Sequence, residues 1–239
     1  MDNIQGAPDV GADDVPNAEI ETGDATGFVK LSPMLKAALR TSNAQSESIS
    51  ALRNYLVGQH IREGRRALAM CGTTAGNGCT FVATNVALAA ARAGLNTLLI
   101  DADMRDPGVD KMFIPGTEPE GLKQYLTATD HVAPLVMAQV IPNLSILYSG
   151  GIAEDAHELL SSNRLALLLE DSVRTFDLTI VDCPPAANYS DARRIATLLR
   201  HAVIVVRRDH SLAHDVRTLV DELRSDRVNV VGTVLNVFG

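Results

Sequence analysis

The chain has 239 residues and is 46% hydrophobic, enough to fill the core of one substantial α/β domain. Its formal charge of -8 is unevenly placed: residues 1–28 carry seven acidic side chains and no Lys or Arg, which leaves the remainder nearly neutral. No basic, aromatic-studded face is written into the sequence, so direct nucleic-acid binding is not expected. Nor does any apolar run reach the roughly 18 to 20 residues of a membrane span, or any leader show the basic and apolar regions of a signal peptide.

In chain order, residues 1–30 form an acidic stretch rich in Gly, Pro, Ala and Asn. It holds too little apolar surface to offset its ordering entropy and is expected to be a disordered tail. Residues 31–239 are expected to form the folded domain. Residues 32–43 and 46–61 carry helical spacing, the second with Ser46 as a cap and Ile49, Leu52 and Leu56 on one side, so two helices should precede the first strand. From residue 66 short apolar runs alternate with helical segments. The runs are residues 67–71, 97–100, 144–147, 178–181, 202–206 and 228–235; helices should begin at Cys79, Glu158, Asp191 and Ser211. This alternation describes a three-layer α/β domain, a mostly parallel sheet flanked by helices, with ligands at the carboxyl ends of the strands.

The run CGTTAGNGCT, residues 71–80, joins an apolar strand to a helix through a loop containing Gly72, Gly76 and Gly78. Glycines let backbone N–H groups turn towards a phosphate, and the helix N-terminus adds a favourable dipole. Thr80 takes the position of the hydroxyl that would hold Mg²⁺. Cys79 takes that of the lysine that would reach the β- and γ-phosphates. Cys71, Cys79 and Cys183 have no CxxC or zinc-ligand spacing, which fits a reducing compartment, and Cys71 and Cys183 read as core thiols. His210 and His214, four residues apart, lack a third ligand and do not read as a metal site.

Two further apolar strands end in acids: Asp101-Ala102-Asp103-Met104-Arg105 and Asp182-Cys183-Pro184-Pro185. Carboxylates at strand ends beside a phosphate loop can hold Mg²⁺ or its waters and orient an attacking group. With LLIDADMRDP at residues 98–107, TIVDCPP at 179–185, GLKQYL at 121–126 and HELLSSNR at 157–164, the chain resembles the bacterial tyrosine autokinases of polysaccharide co-polymerase systems, relatives of the ParA and MinD ATPases. The resemblance runs over residues 46–236.

It implies ATP or ADP and Mg²⁺ as ligands. Gly76, Asn77, Gly78, Cys79 and Thr80 would cradle the phosphates, Arg105 and Arg207 would lie near the nucleotide, and Asn236 would read the adenine edge. Thr80, Asp101 and Asp182 would serve the metal, and Asp103 or Asp101 would assist a tyrosine hydroxyl. SESISALRNYL resembles the family's oligomerisation motif, with Glu47 and Arg53 retained and Ser50 at its first arginine position.

Two departures stand out. A thiol cannot supply the lysine's charge, and a thiolate at Cys79 would repel the phosphates. The family's tyrosine-rich tail is also not expected, since the sequence ends at Gly239 after its last strand and Tyr55, Tyr125, Tyr148 and Tyr189 are scattered through the fold. The leading expectation is a pseudokinase or weak nucleotide binder in exopolysaccharide or capsule-type polysaccharide biosynthesis and export. It would be cytoplasmic, held at the inner face of the plasma membrane by a membrane polysaccharide co-polymerase, and able to form a homo-oligomer. An active ATP-dependent tyrosine autokinase and a ParA/MinD-like partitioning ATPase are the alternatives.

Overall fold

A computed structural model describes residues 29–38, 44–129 and 135–237. Of the tail expected over residues 1–30, residues 1–28 lie outside the described residues, as does the end of the first expected helix, residues 39–43, whereas Val29 and Lys30 belong to a strand. The described chain opens on strand β1 (Val29–Leu31), followed by helices α1 (Pro33–Ala38) and α2 (Ala44–Gln59). Strand β2 (Ala67–Gly72) leads into α3 (Cys79–Arg92), and β3 (Thr97–Asp101) into the single turn α4 (Val109–Met112) and strand β4 (Phe113–Pro115). Next come α5 (Leu122–Thr127), the hairpin strands β5 (Met137–Ile141) and β6 (Leu144–Leu147), and helices α6 (Ala156–Ser161) and α7 (Asn163–Thr175). The chain then runs through β7 (Leu178–Asp182), α8 (Asp191–Leu199), β8 (His201–Arg207), α9 (Ala213–Ser225) and β9 (Asn229–Asn236).

Among the described residues the main sheet has seven strands in the order β5-β6-β3-β7-β2-β8-β9, parallel except for the β5 edge. β2, β3 and β7 are buried along their whole length because helices cover both faces. Strand side chains alternate between faces. Leu68, Met70, Leu99 and Ile180 therefore pack with α1, α2 and α3, while Ala67, Ala69, Cys71, Ile100 and Val181 pack with α5 to α9. The same alternation, with Asp101 in register with Asp182, turns both strand-end carboxylates towards the α3 face.

The sequence reading differs from the structure at the edges. A strand, not a helix, comes first: Val29 and Leu31 are buried, and β1 pairs antiparallel with β4 as a two-stranded sheet beside the main one. Three-residue strands carry no readable period. Ser46 lies inside α2 instead of capping it, since the helix starts at Ala44. The helix expected from Glu158 is two helices, broken where Ser162 takes an extended conformation. Helix α9 begins at Ala213, two residues after the expected start at Ser211.

Phe113 links the small sheet to the core. It is fully buried, pairs with Leu31, and its carbonyl accepts the hydroxyl of the buried Tyr148 at 2.9 Å. Phe113→Ala is expected to lower unfolding stability by about 3 to 5 kcal/mol, read from the urea midpoint at unchanged slope.

Candidate functional site

The loop between β2 and α3 starts at Gly72, where a β-carbon would collide with the Asn77 carboxamide. Asn77 needs that space because its buried Nδ2 donates to the Val205 carbonyl at 3.1 Å, tying the loop to β8. Gly76 and Gly78 adopt φ of 77° and 84°, the left-handed region that glycine enters without strain. Three successive loop carbonyls are braced from the β8 and β9 side. His210 Nε2 donates to Ala75 O at 2.9 Å, Arg207 Nη1 to Gly76 O at 2.9 Å, and Asn236 Nδ2 to Asn77 O at 3.1 Å. A trans peptide sets each carbonyl opposite the following N–H, so the N–H groups of Gly76, Asn77 and Gly78 are turned the other way, towards the cleft those residues line. Arg207 and Asn236 thus reach the loop's backbone. His210, set aside from sequence because it lacked metal partners, is a third brace.

The cleft encloses about 320 Å³. Loop residues 74–80 form one side; Asp103, Arg105, Asp106, Cys183, Pro185, Asn188 and Tyr189 form the other. The two buried strand-end carboxylates differ sharply. Asp101 accepts three backbone hydrogen bonds, from Asp103 N at 3.1 Å, Gly108 N at 3.1 Å and Val109 N at 3.0 Å. It shapes the turn into α4. Neither oxygen of Asp182 accepts a well-formed hydrogen bond.

Burial pushes the Asp101 carboxyl well up, with the Asp182 charge adding to it and the three N–H groups opposing. Burial likewise raises Asp182, to about 7, against partial relief from the nearby Thr80 hydroxyl and Cys79 thiol. Asp103 is raised by burial although its Oδ1 accepts from Arg105 N and Asp106 N, both at 3.1 Å.

Cys79 opens α3 as the sequence suggests, with its thiol turned inward. Burial first, then the charges of Asp182 and Cys71, push that thiol well up, so it stays neutral and the repulsive thiolate does not form. Cys71 and Cys183 are buried core thiols in contact with each other. All three cysteines gather beneath the loop, which their spacing does not reveal; among the described residues no His, Cys, Asp and Glu group is arranged to hold a metal by itself.

Arg105 leans out of the acidic turn across the cleft. Its Nε and Nη2 reach Asp191 Oδ2 at 3.1 and 2.9 Å, and its guanidinium lies 3.9 Å from the Tyr189 ring centre. Tyr189 therefore belongs to the cleft, whereas Tyr148 and Tyr125 are core residues and Tyr55 donates to Val231 O from the surface of α2. Glu47 and Arg53 lie on α2, away from this cleft; Glu47 is exposed and Arg53 bonds to Asn54 Oδ1 at 2.8 Å. A second, largely apolar cleft of about 690 Å³ runs between α2, Phe81 of α3 and residues 234–237, and Asn236 lies on its edge.

The raised carboxyls set a pH dependence. A carboxyl that binds its proton more tightly in the folded state stabilises the fold at low pH, and that contribution is lost as pH rises through the folded value. For Asp182 the loss runs from about pH 4, the ordinary carboxylate value, up to about 7. His60, lowered by burial, works in the opposite sense as pH rises, so the comparison must be against a variant. Asp182→Asn should gain more stability over the unmodified chain at about pH 8 than at about pH 5 in urea unfolding. An equal difference at both values would mean that Asp182 titrates as an ordinary carboxylate.

A family model described as NUBPL iron-transfer P-loop NTPase, of the ParA group, matches residues 64–239. The chain is 30% identical over 190 residues to the putative tyrosine-protein kinase EpsB of Ralstonia solanacearum, covering 80% of this chain and 25% of that protein. It is 29% identical over 205 residues to a putative tyrosine-protein kinase in the cps region of Klebsiella pneumoniae, covering 84% of this chain and 28% of that one. The chain therefore spans about a quarter of the length of these curated relatives. The kinase domain of the Escherichia coli tyrosine kinase ETK superposes with a TM-score of 0.78 at 27% identity, covering 87% of this chain and 81% of that domain. The chain belongs to the ParA family of P-loop NTPases, and the relatives and the solved domain it resembles are bacterial tyrosine kinases.

Proposed function

We propose that this protein is a tyrosine-kinase-like nucleotide binder that regulates the biosynthesis and export of an exopolysaccharide or capsule-type polysaccharide, with phosphoryl transfer weak or absent. The observation that carries the reading is the loop itself. Three consecutive carbonyls are held away from the cleft, so the three N–H groups that follow them turn towards it, above a buried Asp182 whose oxygens accept no well-formed hydrogen bond. Such a set of donors suits phosphate oxygens.

The residues present fit Mg²⁺. Asp182 has both oxygens free of hydrogen bonds and Thr80 lies beside it, while Asp101 has three N–H groups on its carboxylate and serves the metal only through its remaining lone pairs or a water. A bound Mg²⁺ would supply positive charge facing the phosphates. The 690 Å³ apolar cleft is wide enough for a nucleobase, with the Asn236 carboxamide at its edge to read adenine. Arg207 acts by holding Gly76 and Arg105 by facing the cleft.

Cys79 sets the limit on chemistry. Charge that spreads over the transferring phosphoryl oxygens needs a cation, and a neutral thiol turned towards Asp182 provides none. Asp103 stands at the cleft where a tyrosine hydroxyl would enter, so the acid–base part of the site outlasts its cationic part.

Among the described residues no helix is long and apolar enough to cross a membrane. In this reading a membrane polysaccharide co-polymerase holds the protein at the inner face of the plasma membrane, and Glu47 and Arg53 of α2 make homo-oligomer contacts. The EpsB likeness supports the kinase-like assignment. The cps-region relative supports the polysaccharide setting.

Calorimetric titration of ATP and ADP with Mg²⁺ tests the reading. The unmodified chain should bind measurably and leave no phosphotyrosine on itself, and Cys79→Lys should tighten ATP about tenfold or more, the value of one charge-assisted phosphate contact. Phosphotyrosine on the unmodified protein that disappears with Asp103→Ala would establish the active autokinase instead.

A further inference from the structure

Without its lysine, a phosphate cleft needs another cation. Among the described residues lining this one, Arg105 is the sole Lys or Arg. Its placement is unusually constrained. The Asp103 carboxylate holds its backbone N–H at 3.1 Å, which fixes the root of the side chain. At the far end, Nε and Nη2 both donate to Asp191 Oδ2, and the guanidinium plane rests over Tyr189 at 3.9 Å.

Asp191 itself cannot turn. It is 1% exposed at the start of α8, and its other oxygen, Oδ1, takes the hydrogen of His157 Nδ1 at 2.9 Å. A guanidinium has five N–H groups, and this anchor uses two. The Nη1 edge bonds to no described residue and belongs to a side chain that lines the cleft.

We propose that Asp191 is a positioning residue. It acts through Arg105, fixing the guanidinium so that its free edge meets the terminal phosphate of a nucleoside triphosphate, in partial replacement of the lysine lost at position 79. This rests on the nucleotide reading above and adds to it a basis for discrimination. A diphosphate held by the loop N–H groups ends before the Arg105 side of the cleft, and a triphosphate reaches it. The site therefore prefers the triphosphate through Arg105, and the preference depends on Asp191, which lies outside the cleft lining, and on Tyr189, which stacks under the guanidinium. A purely structural role for the pair, stitching the acidic turn to α8, would affect stability and both nucleotides alike.

The test is the ratio of ATP to ADP affinity, measured by calorimetry with Mg²⁺ on the full chain and on Arg105→Gln, Asp191→Asn, Tyr189→Leu and the double variant Arg105→Gln/Asp191→Asn. Arg105→Gln and Asp191→Asn should each lower the ratio about tenfold, the size of one charge-assisted contact. The double variant should lose no more than Arg105→Gln alone, because both changes remove one interaction. Tyr189→Leu should lower the ratio in the same direction while Asp191 stays intact, which keeps the proposal testable if Asp191→Asn fails to fold.

If the unmodified chain and Cys79→Lys both bind neither nucleotide, the nucleotide reading falls and this proposal with it. If nucleotide binds and Arg105→Gln leaves the ratio unchanged, the nucleotide reading stands and the proposal is wrong. It is also wrong if Arg105→Gln lowers the ratio but a folded Asp191→Asn, or Tyr189→Leu where that variant does not fold, leaves it intact.

Discussion

Two carboxylates buried in register at the ends of adjacent strands are the constraint around which the site is arranged. Burial of two like charges a strand apart is costly unless each is neutralised or hydrogen-bonded. The chain solves the problem differently for each. Asp101 collects three backbone N–H groups, and doing so dictates the course of residues 102–109 and the start of α4. That turn runs straight into β4, which carries β1 with it. Asp182 receives no such support, and its proton is held up to about 7. The unsatisfied carboxylate is the part of the site that has most to gain from a cation.

Cys79 acquires its meaning from that neighbour. A lysine in this position would lie close to a buried carboxylate as well as to phosphate, whereas a neutral thiol leaves the Asp182 charge problem where it was. Protonated, the carboxylate is tolerable without a partner. The remaining positive charge at the cleft belongs to Arg105, already committed to Asp191 and stacked on Tyr189. The positive charge lining the cleft is thus a planar, anchored guanidinium on the wall opposite the loop. A guanidinium fixed in this way discriminates by geometry more than by charge alone.

Much of the architecture was legible because the relevant signals are local. Buried strands such as Leu178–Asp182 announce themselves as short apolar runs, and a Gly-rich turn between a strand and a helix restricts the backbone wherever it occurs. Both acidic motifs could be placed at strand ends for the same reason. The errors lie where the determinant is nonlocal. β1 and β4 are strands only because they pair across about 80 residues of sequence, and the break at Ser162 separates two stretches that share one helical composition. His210, which does not read as a metal ligand in the sequence, becomes a loop brace only because the fold brings it against Ala75.

By itself the sequence determined the alternating α/β plan, the loop with Cys79 in the lysine position, the acidic strand ends and the kinase likeness, since each is carried by residue type at fixed spacing along the chain. Only the tertiary structure decided which carboxylate is left without a partner, where the thiol points, what braces the loop and where the cleft's cation is held. Those properties depend on groups from β2, β3, β7, α8 and β8 meeting at one end of the sheet. No linear pattern encodes the distances between them, because packing of both sheet faces sets them.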